Sequence, residues 1–184
     1  MDKRKNVILC GFMGSGKSTV GKFLSRRLGM QFIDMDAYIE DWQKTTISEI
    51  FAAKGEAEFR RLETQAARDL SAKHGQVIAA GGGTLLFPQN VEIFRKNGVI
   101  VLLDAPLAAL QERLKNDRSR PLLQKPNRNE VIRELHEKRM PLYRAAADFS
   151  VNAGLPPKLV AEEIIRKIEL QAGSCPVSEN PIDL

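Results

Sequence analysis

The stretch Gly11-Phe12-Met13-Gly14-Ser15-Gly16-Lys17-Ser18 restricts the possible folds more than any other part of the chain. It satisfies G-x-x-x-x-G-K-[ST], and its surroundings suit the mechanics of that pattern. A short apolar run at residues 7–10 precedes it. A helical pattern over Lys17–Leu28 follows, with Val20, Phe23, Leu24 and Leu28 on one face and Gly29 as its stop. Glycines let the backbone wrap an anion so that successive N–H groups point inward, and the helix start adds positive potential. Lys17 is placed to reach the β- and γ-phosphates of a nucleotide and the Ser18 hydroxyl to ligate Mg²⁺, with Gly14, Ser15, Gly16 and Thr19 completing the cradle. A strand feeding such a loop and helix predicts an open α/β sheet.

The rest of the chain agrees with that expectation. Short β-branched runs alternate with longer helical patterns, the signature of a parallel sheet with crossover helices. Five strands are read, at residues 6–10, 31–34, 77–80, 99–103 and 149–152. Thr46-Ile47-Ser48-Glu49 has capping-box spacing and opens a short helix ending near Gly55, followed by another over residues 56–74. Further helices run from about Pro88 to Gly98, from a first turn holding Pro106 to about Lys115, and over residues 129–146 and 157–171. Pro141 is expected to kink or break the helix that contains it.

The chain is read as one domain over residues 1–172, interrupted twice. Residues 36–61 form a helical insertion between the second and third strands. Residues 116–129, rich in Arg, Lys, Pro and Asn with little periodicity, read as a mobile loop. Residues 173–184, with Pro176 and Pro181, read as a disordered tail. Among 184 residues, 43% are hydrophobic and 28% charged, which argues for a globular protein and against disorder. No apolar run approaches the roughly 20 residues of a membrane span, and the basic start precedes neither a long apolar segment nor a small-residue cleavage site. A cytoplasmic location and no membrane partner are therefore expected. Cys10 and Cys175 are far apart and, with two histidines, offer no zinc pattern; Cys10 reads as a small core residue. The net charge of +5 fits solubility, arginines gathered around small anions, or nucleic acid. No nucleic-acid-binding signature accompanies it, so nucleic acid ranks last. A monomer binding small molecules is the expectation.

Several further residues carry chemistry. Asp34-Met35-Asp36 closes the second strand, and strand carboxyl ends are where open α/β sheets bind ligands. Asp34 is suited to a metal-bound water or a hydroxyl nucleophile, whereas Asp36 divides evenly between a helix N-cap and a ligand contact. Arg60 lies in Phe59-Arg60-Arg61-Leu62-Glu63, and Glu56 stands four residues before it, the spacing of a surface ion pair. Gly81-Gly82-Gly83 follows a buried strand and either turns the chain or admits a ligand to the backbone. Arg113, Arg118 and Arg120 bracket the basic loop, as a solvated surface or as a clamp on transferring charge.

Taken together, GFMGSGKST at residues 11–19, D-x-D at Asp34/Asp36, F-R-x-x-E from Phe59 to Glu63, GGG at 81–83, RPLL at 120–123 and R-x-P-L-Y from Arg139 to Tyr143 resemble the shikimate kinase family over residues 6–171. The resemblance implies a three-layer α/β P-loop fold whose parallel sheet has strand order 2-3-1-4-5. Residues 36–61 would be the substrate-binding insertion and about 113–128 the lid. It implies Mg²⁺- and ATP-dependent transfer of phosphate to the 3-hydroxyl of shikimate, a step towards chorismate and the aromatic amino acids. Asp36 and backbone at Gly82 would hold the shikimate hydroxyls, and Arg60 and Arg139 its carboxylate. Asp34 would stand near the reacting hydroxyl and the metal, as either base or orienting group. Arg120 would meet the nucleotide phosphates, while Arg113 and the turn at 154–157 would flank adenine. The alternatives are a kinase of the same fold acting on gluconate or a nucleoside monophosphate, or a non-catalytic ATP-binding module.

Overall fold

Asn6–Cys10 forms β1, and every one of its residues is buried. A strand buried on both faces belongs in the middle of a sheet covered by helices, and that is where the computed structural model, which describes residues 5–115 and 127–173, places it. The five strands are β1, β2 (Gln31–Asp34), β3 (Gln76–Ala79), β4 (Gly98–Asp104) and β5 (Phe149–Asn152). They pair in the order β2-β3-β1-β4-β5. All pairings are parallel, with Val7 opposite both Val77 and Val99 and Phe32 opposite Val77.

The helices are α1 (Lys17–Leu28), α2 (Met35–Gln43), α3 (Ile47–Ser71), α4 (Pro88–Arg95), α5 (Leu107–Leu114), α6 (Arg128–Ala146) and α7 (Pro157–Gly173), with a 3₁₀ turn at Thr84–Leu86. Contacts of α1 with α7, and of α3 with α4, clothe the sheet. Ile8, Leu9, Ile78, Ile100 and Leu102 form a core that water does not reach. Cys10 lies within it, its thiol pushed up to about 12 by burial, partly offset by Lys17, so it stays an inert core residue. Among the described residues no helix is long and apolar enough to cross a membrane.

Local chemistry explains the helix ends. Gly16 caps α1 in the left-handed conformation, φ 92°, which a side chain disfavours. Thr46 and Glu49 close a full capping box at the start of α3. Gly55, at φ 76° and ψ 178°, divides α3 into the two stretches expected there.

Some boundaries differ from expectation. β3 begins one residue earlier, at Gln76, because the Asn6 side chain accepts its N–H at 3.0 Å and so extends the ladder. Helix α3 stops at Ser71 rather than 74. Gly98 opens β4 instead of ending a helix, since the Asn97 carbonyl accepts from Asn6 N–H and starts the pairing. Pro106 is extended and caps α5 from outside. Pro141 does not break α6, which runs through it. Buried Met140 and Tyr143 anchor the helix on both sides of the missing N–H, so tertiary packing outweighs the lost hydrogen bond. Most of the expected lid (116–126), with Arg118 and Arg120, and the tail from Ser174 with Cys175, lie outside the described residues.

Candidate active site

The phosphate loop leaves β1 and is anchored by its own apolar side chains. Phe12 and Met13 are buried, and the Phe12 ring meets His136 of α6 edge-on at 5.5 Å. Gly11 has no room for a Cβ, which would stand 2.7 Å from the Leu103 carbonyl. Lys17 Nζ donates to the carbonyls of Gly11 (2.9 Å) and Phe12 (3.2 Å), so its charge already lies over the loop. The Ser15 hydroxyl is buried without a hydrogen-bond partner, inside a loop whose geometry suits an anion. Thr19 is exposed on the first turn of α1.

Ser18 Oγ donates to Asp34 Oδ2 at 2.6 Å, which joins the loop to the end of β2. The other oxygen, Asp34 Oδ1, accepts from Asp36 N–H at 3.2 Å. Asp34 is therefore the N-cap of α2, and the capping alternative for Asp36 is corrected. Asp36 turns its carboxylate towards the glycine run, where a Cβ on Gly81 would stand 2.7 Å from Asp36 Oδ1. A cleft of about 230 Å³ is lined by Lys17, Ser18, Asp34, Asp36 and Gly82, so these five candidates share one space. Arg113 lies at the other edge of the loop. Its guanidinium donates to the Gly14 carbonyl at 3.2 Å and the Ala153 carbonyl at 2.9 Å, tying the loop to the turn at 154–157.

Arg60 approaches the same glycine run from α3, where a Cβ on Gly83 would collide with its guanidinium. Its Nη1 pairs with Glu63 at 2.6 Å. Its Nε and Nη2 both donate to Glu56 Oε1, at 3.2 and 2.8 Å. The guanidinium also lies over the rings of Phe59 and Phe87, at 5.4 and 5.6 Å. Burial works against its charge, but Glu63 and Glu56 more than offset this and hold its pKa above the ordinary guanidinium value. Glu56 is mostly exposed whereas Glu63 is 1% exposed, so only the Glu63 contact is shielded from water.

Glu63 also accepts from Thr84 Oγ1 at 2.5 Å, and Asn90 Nδ2 holds the Thr84 carbonyl at 2.9 Å. On α6, the Tyr143 hydroxyl donates to the Gly82 carbonyl, with the charge of Arg139 nearby. Burial pushes the Tyr143 phenol up to about 12, while Arg139 pulls it the other way, so it stays protonated at neutral pH. Arg60 thus packs against Gly83, and Tyr143, which feels the charge of Arg139, holds the neighbouring Gly82.

Glu63, Thr84 and Tyr143 had no assigned role on sequence grounds. The signal for two of them was readable. Glu63 interrupts the apolar stripe of Phe59, Leu62, Ala66 and Leu70, and Tyr143 follows Ile132 and Met140 on the buried face of α6. A polar group on such a stripe is satisfied by something. Thr84 gave no comparable signal.

The comparisons with known proteins decide between kinases of this architecture. The family model described as shikimate kinase matches residues 13–169. A curated shikimate kinase from Thermodesulfovibrio yellowstonii is 46% identical over 166 residues, covering 90% of this chain and 95% of that one. The chain belongs to the shikimate kinase family. Shikimate kinase from Acinetobacter baumannii, solved in complex with shikimate, superposes with a TM-score of 0.86 at 34% identity, covering 94% of this chain and 96% of that one. A gluconokinase from Sinorhizobium meliloti reaches a TM-score of 0.61 at 16% identity, covering 96% and 100%, a likeness of fold alone. The shikimate kinase match takes in Lys17, Asp34, Arg60, Arg113 and Arg139 within one continuous span.

Proposed function

We propose that this shikimate kinase family member transfers the γ-phosphoryl group of ATP to the 3-hydroxyl of shikimate, giving shikimate 3-phosphate and ADP. The observation that carries the reading is the single cleft shared by the phosphate loop with Asp34, Asp36 and the glycine run, against which Arg60 packs. Shikimate is a small anionic triol, so it calls for hydrogen-bond partners for hydroxyls and a planar cation for a carboxylate. Asp36 and the Gly82 backbone supply the first, and Arg60 and Arg139 the second.

Phosphoryl transfer needs little covalent help, only alignment and charge stabilisation. The 3-hydroxyl oxygen bonds to the γ-phosphorus as the bond to the β,γ-bridging oxygen breaks, and the electron pair leaves with ADP. Asp34 accepts a hydrogen bond from the attacking hydroxyl, whose proton passes to that carboxylate or to solvent as the new bond forms, and Lys17 stabilises the charge on the transferring group. Ser18 Oγ and Asp34 Oδ2, 2.6 Å apart beside the loop, form a hard oxygen pair that suits Mg²⁺. Held by these two residues, Mg²⁺ would supply positive charge to offset that of the phosphates. Arg113 and the turn at 154–157 flank the adenine, and Arg120, outside the described residues, engages the phosphates. The same reading takes residues 1–172 as one kinase domain, with the substrate-binding insertion at 36–61 and the lid at 113–128, acting as a cytoplasmic monomer.

A coupled ADP-release assay tests the substrate. Shikimate is expected to drive ADP release, with gluconate, AMP and CMP at background. Comparable release with any of those three, or none with shikimate, overturns the assignment.

A further inference from the structure

Glu63 is buried, and its two carboxylate oxygens are held by different elements. Oε2 accepts from Arg60 Nη1 at 2.6 Å, three residues earlier on α3. Oε1 accepts from the hydroxyl of Thr84 at 2.5 Å, on the 3₁₀ turn that follows the glycine run. Among the described residues no other donor serves Oε1. Thr84 is fully buried and fixed at both ends of its backbone. Its N–H donates to the Gly81 carbonyl at 3.1 Å, and its carbonyl accepts from Asn90 Nδ2 at 2.9 Å.

The Thr84 hydroxyl has one proton to give. A carboxylate is a strong acceptor and Met35 Sδ, 3.8 Å from the same hydroxyl, a weak one, so the proton goes to Glu63. What lies across Gly81 makes that bond matter. A Cβ on Gly81 would stand 2.7 Å from Asp36 Oδ1, 2.9 Å from Glu63 Oε1 and 2.9 Å from Thr84 Oγ1, so two carboxylates border one small space. With the hydroxyl donating, Oε1 stays tied to the turn in spite of its like-charged neighbour. Without the hydroxyl, Oε1 becomes a buried acceptor with no donor beside a second carboxylate. Turning away relieves it, and turning drags Arg60 Nη1 along.

We infer that Thr84 is a positioning residue for recognition of the acceptor's carboxylate: its hydroxyl fixes Glu63, and Glu63 fixes the Arg60 guanidinium against Gly83. The inference rests on the proposed shikimate reading and deepens it. Each link from Gly81 through Thr84 and Glu63 to Arg60 is a hydrogen bond of 3.1 Å or less. Glu56, which holds the other edge of Arg60, is 66% exposed and is no substitute, because water competes for the same donors. The turn that carries the Gly82 backbone therefore also sets the angle of the arginine fork.

The test uses the full chain. Thr84→Val keeps the branched shape and removes the hydroxyl, whereas Thr84→Ser keeps the hydroxyl and removes the methyl. Thr84→Val should raise the shikimate KM by about three- to thirtyfold, with kcat and the ATP KM within about twofold. Thr84→Ser should stay within about twofold of the wild type. In calorimetric titration, a shikimate analogue with an uncharged amide in place of the carboxylate should lose much less on Thr84→Val than shikimate does. Combined with Arg60→Lys, Thr84→Val should raise KM by clearly less than the product of the two single effects, because one acts through the other. An unchanged shikimate KM in Thr84→Val, equal losses for acid and amide, Thr84→Ser as weak as Thr84→Val, or strictly multiplicative effects would each overturn the inference. If the wild-type chain gives no shikimate-dependent ADP release, the substrate reading itself fails, a result distinct from any of these.

A second measurement does not depend on Thr84→Val folding. The chain has five threonines, Thr19, Thr45, Thr46, Thr64 and Thr84. Methyl-¹³C threonine labelling therefore gives five reporters, and Thr84→Ser, which lacks the methyl, assigns the Thr84 resonance. Saturating shikimate should shift that resonance in the wild type and much less in Arg60→Lys, with exposed Thr46 as the internal comparison. A Thr84 signal that ignores saturating shikimate, or that shifts equally in both chains, overturns the inference.

Discussion

The two ends of the cleft are made of different material. At the phosphate end, eight consecutive residues bend the backbone into a receptor, held by the buried side chains of Phe12 and Met13. At the acceptor end, side chains from α2, α3 and α6 converge on three glycines. Arg60 is held by Glu63, Glu63 by Thr84, and the Gly82 carbonyl by Tyr143. A backbone receptor is cheap in conformational entropy and recognises any phosphate, whereas a side-chain fork is costlier to order and selects one substrate. The difference teaches where generality and specificity reside in this molecule.

The strongest way to break the contrast is at Lys17. Lys17→Ala should lower turnover by at least about a hundredfold, with the far-UV spectrum and melting temperature unchanged. A folded variant with wild-type turnover would remove the phosphate end from the chemistry. Next comes the fork. Arg60→Lys and Arg139→Lys should each weaken shikimate binding by about ten- to a hundredfold in calorimetric titration, since an ammonium cannot reproduce the planar pair of donors. ATP affinity should hold. If ATP binding falls instead, these arginines serve the nucleotide and the two ends are not separate.

Arg113→Ala sharpens the comparison from the nucleotide side. Losing its bonds to the Gly14 and Ala153 carbonyls should raise the ATP KM by about three- to tenfold and leave the shikimate KM alone. The smallest effect is expected at Glu56. It occupies the Nε and Nη2 donors of Arg60 from an exposed position, so Glu56→Gln should free that edge and tighten shikimate binding by about twofold. Weaker binding in that variant would mean that Glu56 orients Arg60 rather than competing with substrate.

The same division explains what could be read from the sequence. The phosphate loop and the parallel sheet were legible, because a contiguous motif and the periodicity of short apolar runs are local signals, whereas the strand order came only through the resemblance to a family. Thr46 with Glu49, and the interruption at Gly55, were legible for the same reason. The acceptor end was named through its resemblance to a family, but its supports were not. Whether Arg60 was only a surface partner of Glu56 could not be settled without knowing that Gly83 and Glu63 enclose it. Asp36 kept two readings until Asp34 was found in the capping position. Pro141 misled because propensity is local, while the anchors that override it, Met140 and Tyr143, act through tertiary contacts.

The strand order has a consequence for how the chain comes into being. The first strand lies at the centre of the sheet, and its two neighbours are β3 and β4, with Val7 opposite Val77 and Val99. During synthesis from the N-terminus, the strand that leads into the phosphate loop emerges first but finds no neighbour until 70 or more residues have followed it. Such distant pairings slow folding and prolong the exposure of apolar strand edges. The nucleotide receptor, although encoded by one short early motif, thus waits for two distant strands before it gains its support.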